Sequence, residues 1–312
     1  MHRIGIDLGG TNIAGGICDA AGNIIKKASV PTFAARGADF VIADIIALCR
    51  RLVSDSGLSF DDIGSIGIGC PGIVFPPDGS IVSAPNINFT NVPIGKIIGA
   101  AFDVPVLVEN DANCAALGEA KFGAARGVRN SVTITLGTGI GGGIIINGAI
   151  YSGSFFGAGE LGHHIICAGG EACGCGNLGC WEAYASATAL IRDTKKAAKN
   201  DADSAINSLC GDNLDAITAK TAFDAALLGD ITAKAVVENY LDNLCVGLAN
   251  VVNILQPEII VIGGGISGQG DALVFEVEDR TAPLVLGSDL KTRFAVAHLG
   301  NDAGIIGAAM LR

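Results

Sequence analysis

Arg3-Ile4-Gly5-Ile6-Asp7-Leu8-Gly9-Gly10-Thr11-Asn12-Ile13-Ala14-Gly15-Gly16-Ile17-Cys18 is the stretch on which the fold turns. An apolar run from Arg3 to Leu8 meets a glycine turn and re-emerges as a second run from Ile13 to Cys18. Ala21-Gly22-Asn23 then reverses the chain into Ile24-Ile25-Lys26-Lys27, which predicts a three-stranded meander on two tight turns. The device returns in the second half. Ser131 to Leu136 reads as a strand, Gly137-Thr138-Gly139-Ile140-Gly141-Gly142-Gly143 as a glycine turn, and Ile144-Ile145-Ile146 as the partner strand. Asn147-Gly148 then turns the chain into Ala149-Ile150-Tyr151. Two halves of one design with different sequences predict α/β layers laid down twice.

The intervening segments supply helices and further strands. Val41, Ile45, Leu48 and Leu52 recur at helical spacing between Phe40 and Val53. Ile63 to Gly69 is a buried strand broken by Cys70-Pro71-Gly72, and a loop containing Ser83-Ala84-Pro85-Asn86 follows. Val104 to Glu109 is a strand, and Asn110-Asp111 opens a helix from Ala112 to Phe122. Beyond the second hairpin the chain is mostly helical, from Ala183 to Lys199 and, after a polar region to Asp215, from Ala235 to Leu255. Gln256-Pro257 stops that helix, Glu258 to Ile262 is a strand ending in Gly263-Gly264-Gly265, and a short apolar helix closes the chain at Leu311.

The 312 residues suit two domains with a core in each, and 50% hydrophobic against 16% charged residues indicates a globular chain. Forty-five glycines point to many close backbone approaches. A net charge of -11 without a basic run argues against nucleic acid and anionic membranes as partners. The chain enters its first strand at once, with no secretion signal or spanning segment, so its 10 cysteines are expected reduced in the cytoplasm. Cys18, Cys49, Cys70, Cys114, Cys210 and Cys245 read as small buried hydrophobes.

The other four cysteines lie between Gly159 and Glu182, with His163, His164 and the acids Glu160 and Glu182. Cys173-X-Cys175-X4-Cys180 plus one histidine is a donor set that closes a tetrahedral zinc site and leaves no open position for catalysis. His163 is preferred over His164 because it stands three residues from Glu160, on one face of a turn. The three glycine turns, at Gly9-Gly10-Thr11, Gly137-Thr138-Gly139 and Gly263-Gly264-Gly265, are either plain hairpins or anion cradles. Asp7 beside the first suits Mg²⁺ held through water. Asp111 reads as a helix cap, a base, or both.

Asp7-Leu8-Gly9-Gly10-Thr11, Glu109-Asn110-Asp111-Ala112-Asn113, Leu136-Gly137-Thr138-Gly139-Ile140-Gly141, Glu160-Leu161-Gly162-His163 and Cys173-X-Cys175-Gly176-X-X-Gly179-Cys180-X-Glu182 resemble, in order and spacing, the motifs of the ROK sugar kinases. The resemblance implies an actin-like ATPase (ribonuclease H-like) fold of two α/β domains flanking a cleft. One domain would cover residues 1–110, completed by the C-terminal helix at 301–312, and the other 111–300. It implies ATP-dependent phosphorylation of a hexose, glucose first, with N-acetylmannosamine, fructose and allose as alternatives. A sugar-responsive regulator without turnover is the more distant alternative.

In that reading Asp111 is the catalytic base, and Gly72, Asn86, Asn110, Asp111, Glu160, His163 and Glu182 contact the sugar. Asp7, Gly9, Gly10, Thr11, Asn12, Gly137, Thr138, Gly139, Gly264 and Gly265 serve ATP and Mg²⁺, while His163, Cys173, Cys175 and Cys180 bind structural Zn²⁺. Homodimers or homotetramers are the assemblies it implies. Asn12 stands where many members have Lys, His164 where a hydrophobe is common, and Trp181 where Leu is usual.

Overall fold

The computed structural model describes residues 1–211 and 213–312. In chain order the first elements are β1 (His2–Leu8), β2 (Asn12–Cys18), β3 (Ile24–Pro31), α1 (Ala38–Ser56), β4 (Ile63–Cys70), β5 (Ile73–Phe75), β6 (Ser80–Ala84) and β7 (Phe89–Val92). They continue with α2 (Ile94–Gly99), β8 (Val106–Asn110), α3 (Asp111–Phe122), β9 (Ser131–Leu136), β10 (Ile140–Ile146) and β11 (Ala149–Ile150). The remainder comprises α4 (Glu182–Ala185), α5 (Ala187–Asn200), α6 (Ala205–Leu209), α7 (Ala219–Leu227), α8 (Ile231–Leu255), β12 (Ile259–Gly263), α9 (Asp271–Thr281), β13 (Arg293–Val296) and α10 (Ala303–Ala309). Unit 1 contains residues 1–133, 142–159 and 297–312, and unit 2 contains 134–141 and 160–296. Unit 1 thus keeps α3 and the 142–159 segment, beyond the boundary expected after Asn110.

Unit 1 is built on a sheet of order β3-β2-β1-β4-β8. The expected meander is present, since β1 pairs antiparallel with β2 and β2 with β3, while β4 and β8 add in parallel. Alternation along β1 sends Ile4, Ile6 and Leu8 into the core that also holds Val41, Ile45, Leu48 and Leu52 of α1. The opposite face carries no bulk at its centre. Gly16, Gly5 and Gly67 are register partners across β2, β1 and β4, and they form a flat row.

Helix α10 lies on that row. A Cβ at Gly5 would sit 1.9 Å from the Ile305 carbonyl oxygen, and one at Gly67 would sit 1.7 Å from that of Ala308. The same device joins α10 to α3, because a Cβ at Gly307 would meet the Cys114 carbonyl oxygen at 1.7 Å. At Gly143 a Cβ would come within 2.5 Å of the Ala112 carbonyl oxygen, so β10 also touches the α3 backbone. Glu119, fully buried at the end of α3, accepts from the Leu299 N–H at 2.8 Å and the His298 N–H at 3.2 Å and ties in the C-terminal segment.

The second sheet has the order β11-β10-β9-β12-β13, and its strands β9 and β10 each pass from one unit into the other. Within unit 2, β12 is buried throughout and pairs in parallel with β13. The 25-residue α8 presents Leu241, Leu244, Leu248 and Val251 to the interior, as its apolar spacing predicts. Trp181 is fully buried against it: Gly247 leaves the space the indole fills, and the indole N–H donates to the Asn243 carbonyl at 3.1 Å.

Several elements differ from expectation. The loop around Ser83-Ala84-Pro85-Asn86 contains a small sheet, β5-β6-β7, of strands too short to show a clear period. Gly141–Gly143 belong to β10, not to the turn, and Gly143 is there for contact with α3. The helix expected from Ala183 to Lys199 breaks at Ser186, which is extended and accepts from the Ala189 N–H at 3.1 Å as the cap of α5. All six cysteines expected in the interior are buried, and among the described residues every cysteine is free of disulfides. Among those residues no helix is long and apolar enough to cross a membrane.

The glycine row yields a stability prediction. Gly67→Ala should cost upward of about 3 kcal/mol, because the added methyl meets helix backbone that cannot rotate away. Urea unfolding followed by circular dichroism measures it, and a loss under about 1 kcal/mol would show that α10 shifts freely on the sheet.

Candidate active site

Unit 1 gathers one set of the expected residues at the C-terminal ends of β1, β4 and β8. The β1–β2 turn is closed by the Gly9 N–H donating to the Asn12 carbonyl at 3.0 Å. Buried Thr32 clamps it from the end of β3, its hydroxyl donating to the Gly9 carbonyl at 2.7 Å and its N–H to the Thr11 carbonyl at 2.8 Å. Gly10, Thr11 and Asn12 are exposed at the tip, and the Asn86 carbonyl oxygen lies in van der Waals range of Gly10.

Asp7 ends β1 against Gly304 at the start of α10. Burial first, and the negative charge of Asp111 second, push its carboxyl up to about 6 against the opposing pull of Lys27. Asp111 is likewise raised by burial, partly offset by the Ala112 N–H that its Oδ1 accepts at 2.8 Å. Two acids thus stand where water is scarce, Asp7 in the field of Asp111.

The cap of α3 is Asn110, not Asp111. Its Oδ1 accepts from the N–H groups of Ala112 at 2.9 Å and Asn113 at 3.1 Å, and Asp111 is the first helical residue. The Asn110 amide donates to the Gly72 carbonyl at 3.2 Å, which brings Gly72 to the site. Only glycine fits at 72, where φ is 84° and a Cβ would lie 2.2 Å from the Ser83 carbonyl oxygen. Glu109 was not singled out as a site residue from the sequence. It is buried, and its Oε1 accepts from the Asn110 N–H at 2.8 Å and the Asn113 amide at 3.1 Å. A charged residue closing an apolar strand was the available signal.

Unit 2 holds the other set. The Gly137–Gly139 turn closes through the Gly137 N–H and the Gly139 carbonyl at 3.0 Å. Gly264, with φ 82°, abuts Leu136, so the second and third glycine turns are neighbours. Gly265 beside it is exposed. Glu160 precedes a single 3₁₀ turn, Leu161–His163, and its carbonyl accepts from the His163 N–H at 3.1 Å.

Four ligand atoms converge below that turn. Those of His163, Cys173, Cys175 and Cys180 all lie within 4.8 Å of one another. The Cys173 Sγ to His163 Nδ1 and Cys175 Sγ to Cys180 Sγ distances are both 3.6 Å. A tetrahedron about zinc with ~2.3 Å sulfur bonds has edges of ~3.8 Å, so the cluster fits that ion. His164 is turned away: its ring packs on Trp181 at 5.1 Å and its Nδ1 meets the Leu161 carbonyl. Gly176 (φ 93°) and Gly179 (φ 84°) make the tight reversals, and a Cβ at 179 would strike the Cys167 carbonyl oxygen at 1.7 Å. Glu182 follows the clip directly. Its Oε2 accepts from the Ile140 N–H at 2.8 Å and its Oε1 lies 3.7 Å from Cys173 Sγ.

A profile described as the ROK family matches residues 3–312. A glucokinase of Halalkalibacterium halodurans is 38% identical over 310 residues, which span 99% of this chain and 94% of the relative. A glucokinase of Thermotoga maritima is 37% identical over 313 residues, spanning 100% of this chain and 97% of its own. The crystal structure of a ROK family glucokinase from Streptomyces griseus in complex with glucose and AMPPNP is similar with a TM-score of 0.85. It is 34% identical and covers 99% of this chain and 98% of that one.

Replacing Cys175, an exposed member of the cluster, tests the clip. Plasma emission spectrometry should find about one metal ion per wild-type chain and well under half of that in Cys175→Ser. Equal metal content in the two proteins would remove the cluster as the binding site.

Proposed function

The chain belongs to the ROK family, and we propose on that premise that it transfers the terminal phosphoryl group of ATP to glucose, forming glucose 6-phosphate and ADP. The observation that carries the reading is a strand-end acid shielded from water, Asp111, in a chain whose full length is similar to glucokinases. Phosphoryl transfer asks the protein mainly for positioning and charge neutralisation.

In this reading the Asp111 carboxylate takes the proton of the sugar 6-hydroxyl while that oxygen attacks the γ-phosphorus, and the bond from phosphorus to the ADP oxygen breaks. A carboxyl raised toward neutrality is a stronger base than a solvated one. Gly72, Asn86, Asn110, Glu160, His163 and Glu182 orient the sugar hydroxyls. Asn110 serves by way of a carefully held amide, since its oxygen already caps α3. His163 faces the clip through Nδ1, which leaves Nε2 for a hydroxyl.

The turns at Gly9, Gly10, Thr11 and Asn12, at Gly137, Thr138 and Gly139, and at Gly264 and Gly265 hold the nucleotide. Asp7 would hold the Mg²⁺ that neutralises the phosphates. Zinc held by His163, Cys173, Cys175 and Cys180 would supply structure rather than chemistry. Ten unpaired cysteines suit the reducing cytoplasm as the place of work.

Asp111→Asn should fold and bind glucose while kcat drops by about 10²–10⁴-fold, the range of a lost general base. In the wild type, kcat/KM for glucose should fall on acidification at a pH above the ordinary carboxylate range, as the raised Asp111 takes up its proton. Wild-type turnover in the variant would remove Asp111 from the role.

Asp7 gives a signed stability test. With its pKa at about 6 when folded against 3.8 when unfolded, the native state binds more protons than the unfolded one between those values, so stability is lost as pH rises from the lower to the upper. Asp7→Asn should therefore raise the stability of the ligand-free protein at pH 7.5, by about 1–3 kcal/mol, while weakening Mg²⁺-nucleotide binding. A lower melting temperature for the variant would contradict the assignment.

A further inference from the structure

The Gly137–Ile140 turn is gripped from outside its own hairpin. The Ile140 N–H donates to Glu182 Oε2 at 2.8 Å, the Ala187 N–H to the Gly137 carbonyl at 2.9 Å, and the Thr188 hydroxyl to the Thr138 carbonyl at 2.7 Å. All three partners lie within eight residues after the clip residue Cys180. Glu182 also sits in the space a side chain at 139 would need, since a Cβ there would lie 2.1 Å from its Oε2. On its other side it approaches Cys173.

The geometry has an electrostatic meaning. A peptide group is planar and trans, so fixing a carbonyl oxygen fixes the next residue's N–H in the opposite direction. Holding the carbonyls of Gly137 and Thr138 from residues 187 and 188 therefore sets the direction of the N–H groups of Thr138 and Gly139. Those are the donors such a turn offers to a phosphate.

We infer that Thr188 is a positioning residue for the nucleotide phosphates, and that metal retention in the clip and nucleotide binding are coupled through Glu182 and residues 187–188. The inference rests on reading Gly137–Gly139 as a phosphate turn. Coupling of this kind is reciprocal, so bound nucleotide slows metal loss as much as metal favours nucleotide.

Thr188→Val removes the hydroxyl while leaving every clip ligand and Glu182 in place, and Thr188→Ser restores it. The measurements use metal-loaded protein: AMPPNP and glucose affinity by calorimetry, and release of metal to a chromogenic chelator with and without saturating AMPPNP. Thr188→Val should bind AMPPNP about fivefold more weakly, the effect of one lost hydrogen bond, with glucose affinity and metal content unchanged. AMPPNP should slow metal release severalfold in the wild type and in Thr188→Ser, and by less in Thr188→Val. Equal AMPPNP affinity in Thr188→Val and wild type, or wild-type metal release indifferent to AMPPNP, overturns the inference. Failure of the wild type to bind AMPPNP at all instead removes the phosphate-turn reading, and the coupling with it.

Discussion

Backbone meets backbone at the decisive contacts of this protein, and only residues without a Cβ permit it. Helix α10 rests on β1 and β4 through Gly5 and Gly67, and on α3 through Gly307. The consequence for chemistry is placement. Asp7 lies two residues beyond Gly5 on the same strand face, and Asp111 opens the helix that Gly307 draws against α10. In unit 2, Gly264 brings one turn against the end of β9, Gly139 admits the Glu182 carboxylate, and Gly179 lets the clip fold over Cys167. Forty-five glycines are therefore a packing requirement as much as a set of turns. Their entropic cost on folding is offset by contacts that larger residues cannot make.

Close placement carries an electrostatic cost in unit 1. Asp7 and Asp111 are shielded from water and the charge of Asp111 further penalises that of Asp7, while Lys27 opposes this only in part. A protein selected for stability alone would keep neutral residues there. Retaining two acids makes sense where a divalent cation and a transferred proton use them.

Much of this was legible in the residues. The meander at the N-terminus and the β9 strand read correctly because short apolar runs bounded by glycine turns have few alternatives. The metal cluster was legible because three of its ligands fall within eight residues, so spacing alone constrains geometry. The choice of His163 over His164 came from its pairing with Glu160, and the structure turns His164 toward Trp181. What stayed hidden depended on distant partners. Helix α9 and strand β13 have weak apolar periods and take their structure from packing against α8 and β12. Gly143 read as part of a turn because a glycine used for contact looks the same as one used for flexibility. The Thr32 and Thr188 clamps join residues far apart in the chain and have no local signature.

Phosphorus NMR of one reaction mixture tests directly whether this chain is a kinase acting on glucose. Purified protein would be given Mg²⁺-ATP with glucose and N-acetylmannosamine at equal concentration. A kinase acting on glucose gives a phosphomonoester signal of glucose 6-phosphate growing in step with ADP, and little of the N-acetylmannosamine product. Inorganic phosphate in place of a monoester, or a monoester of the other sugar, would contradict it.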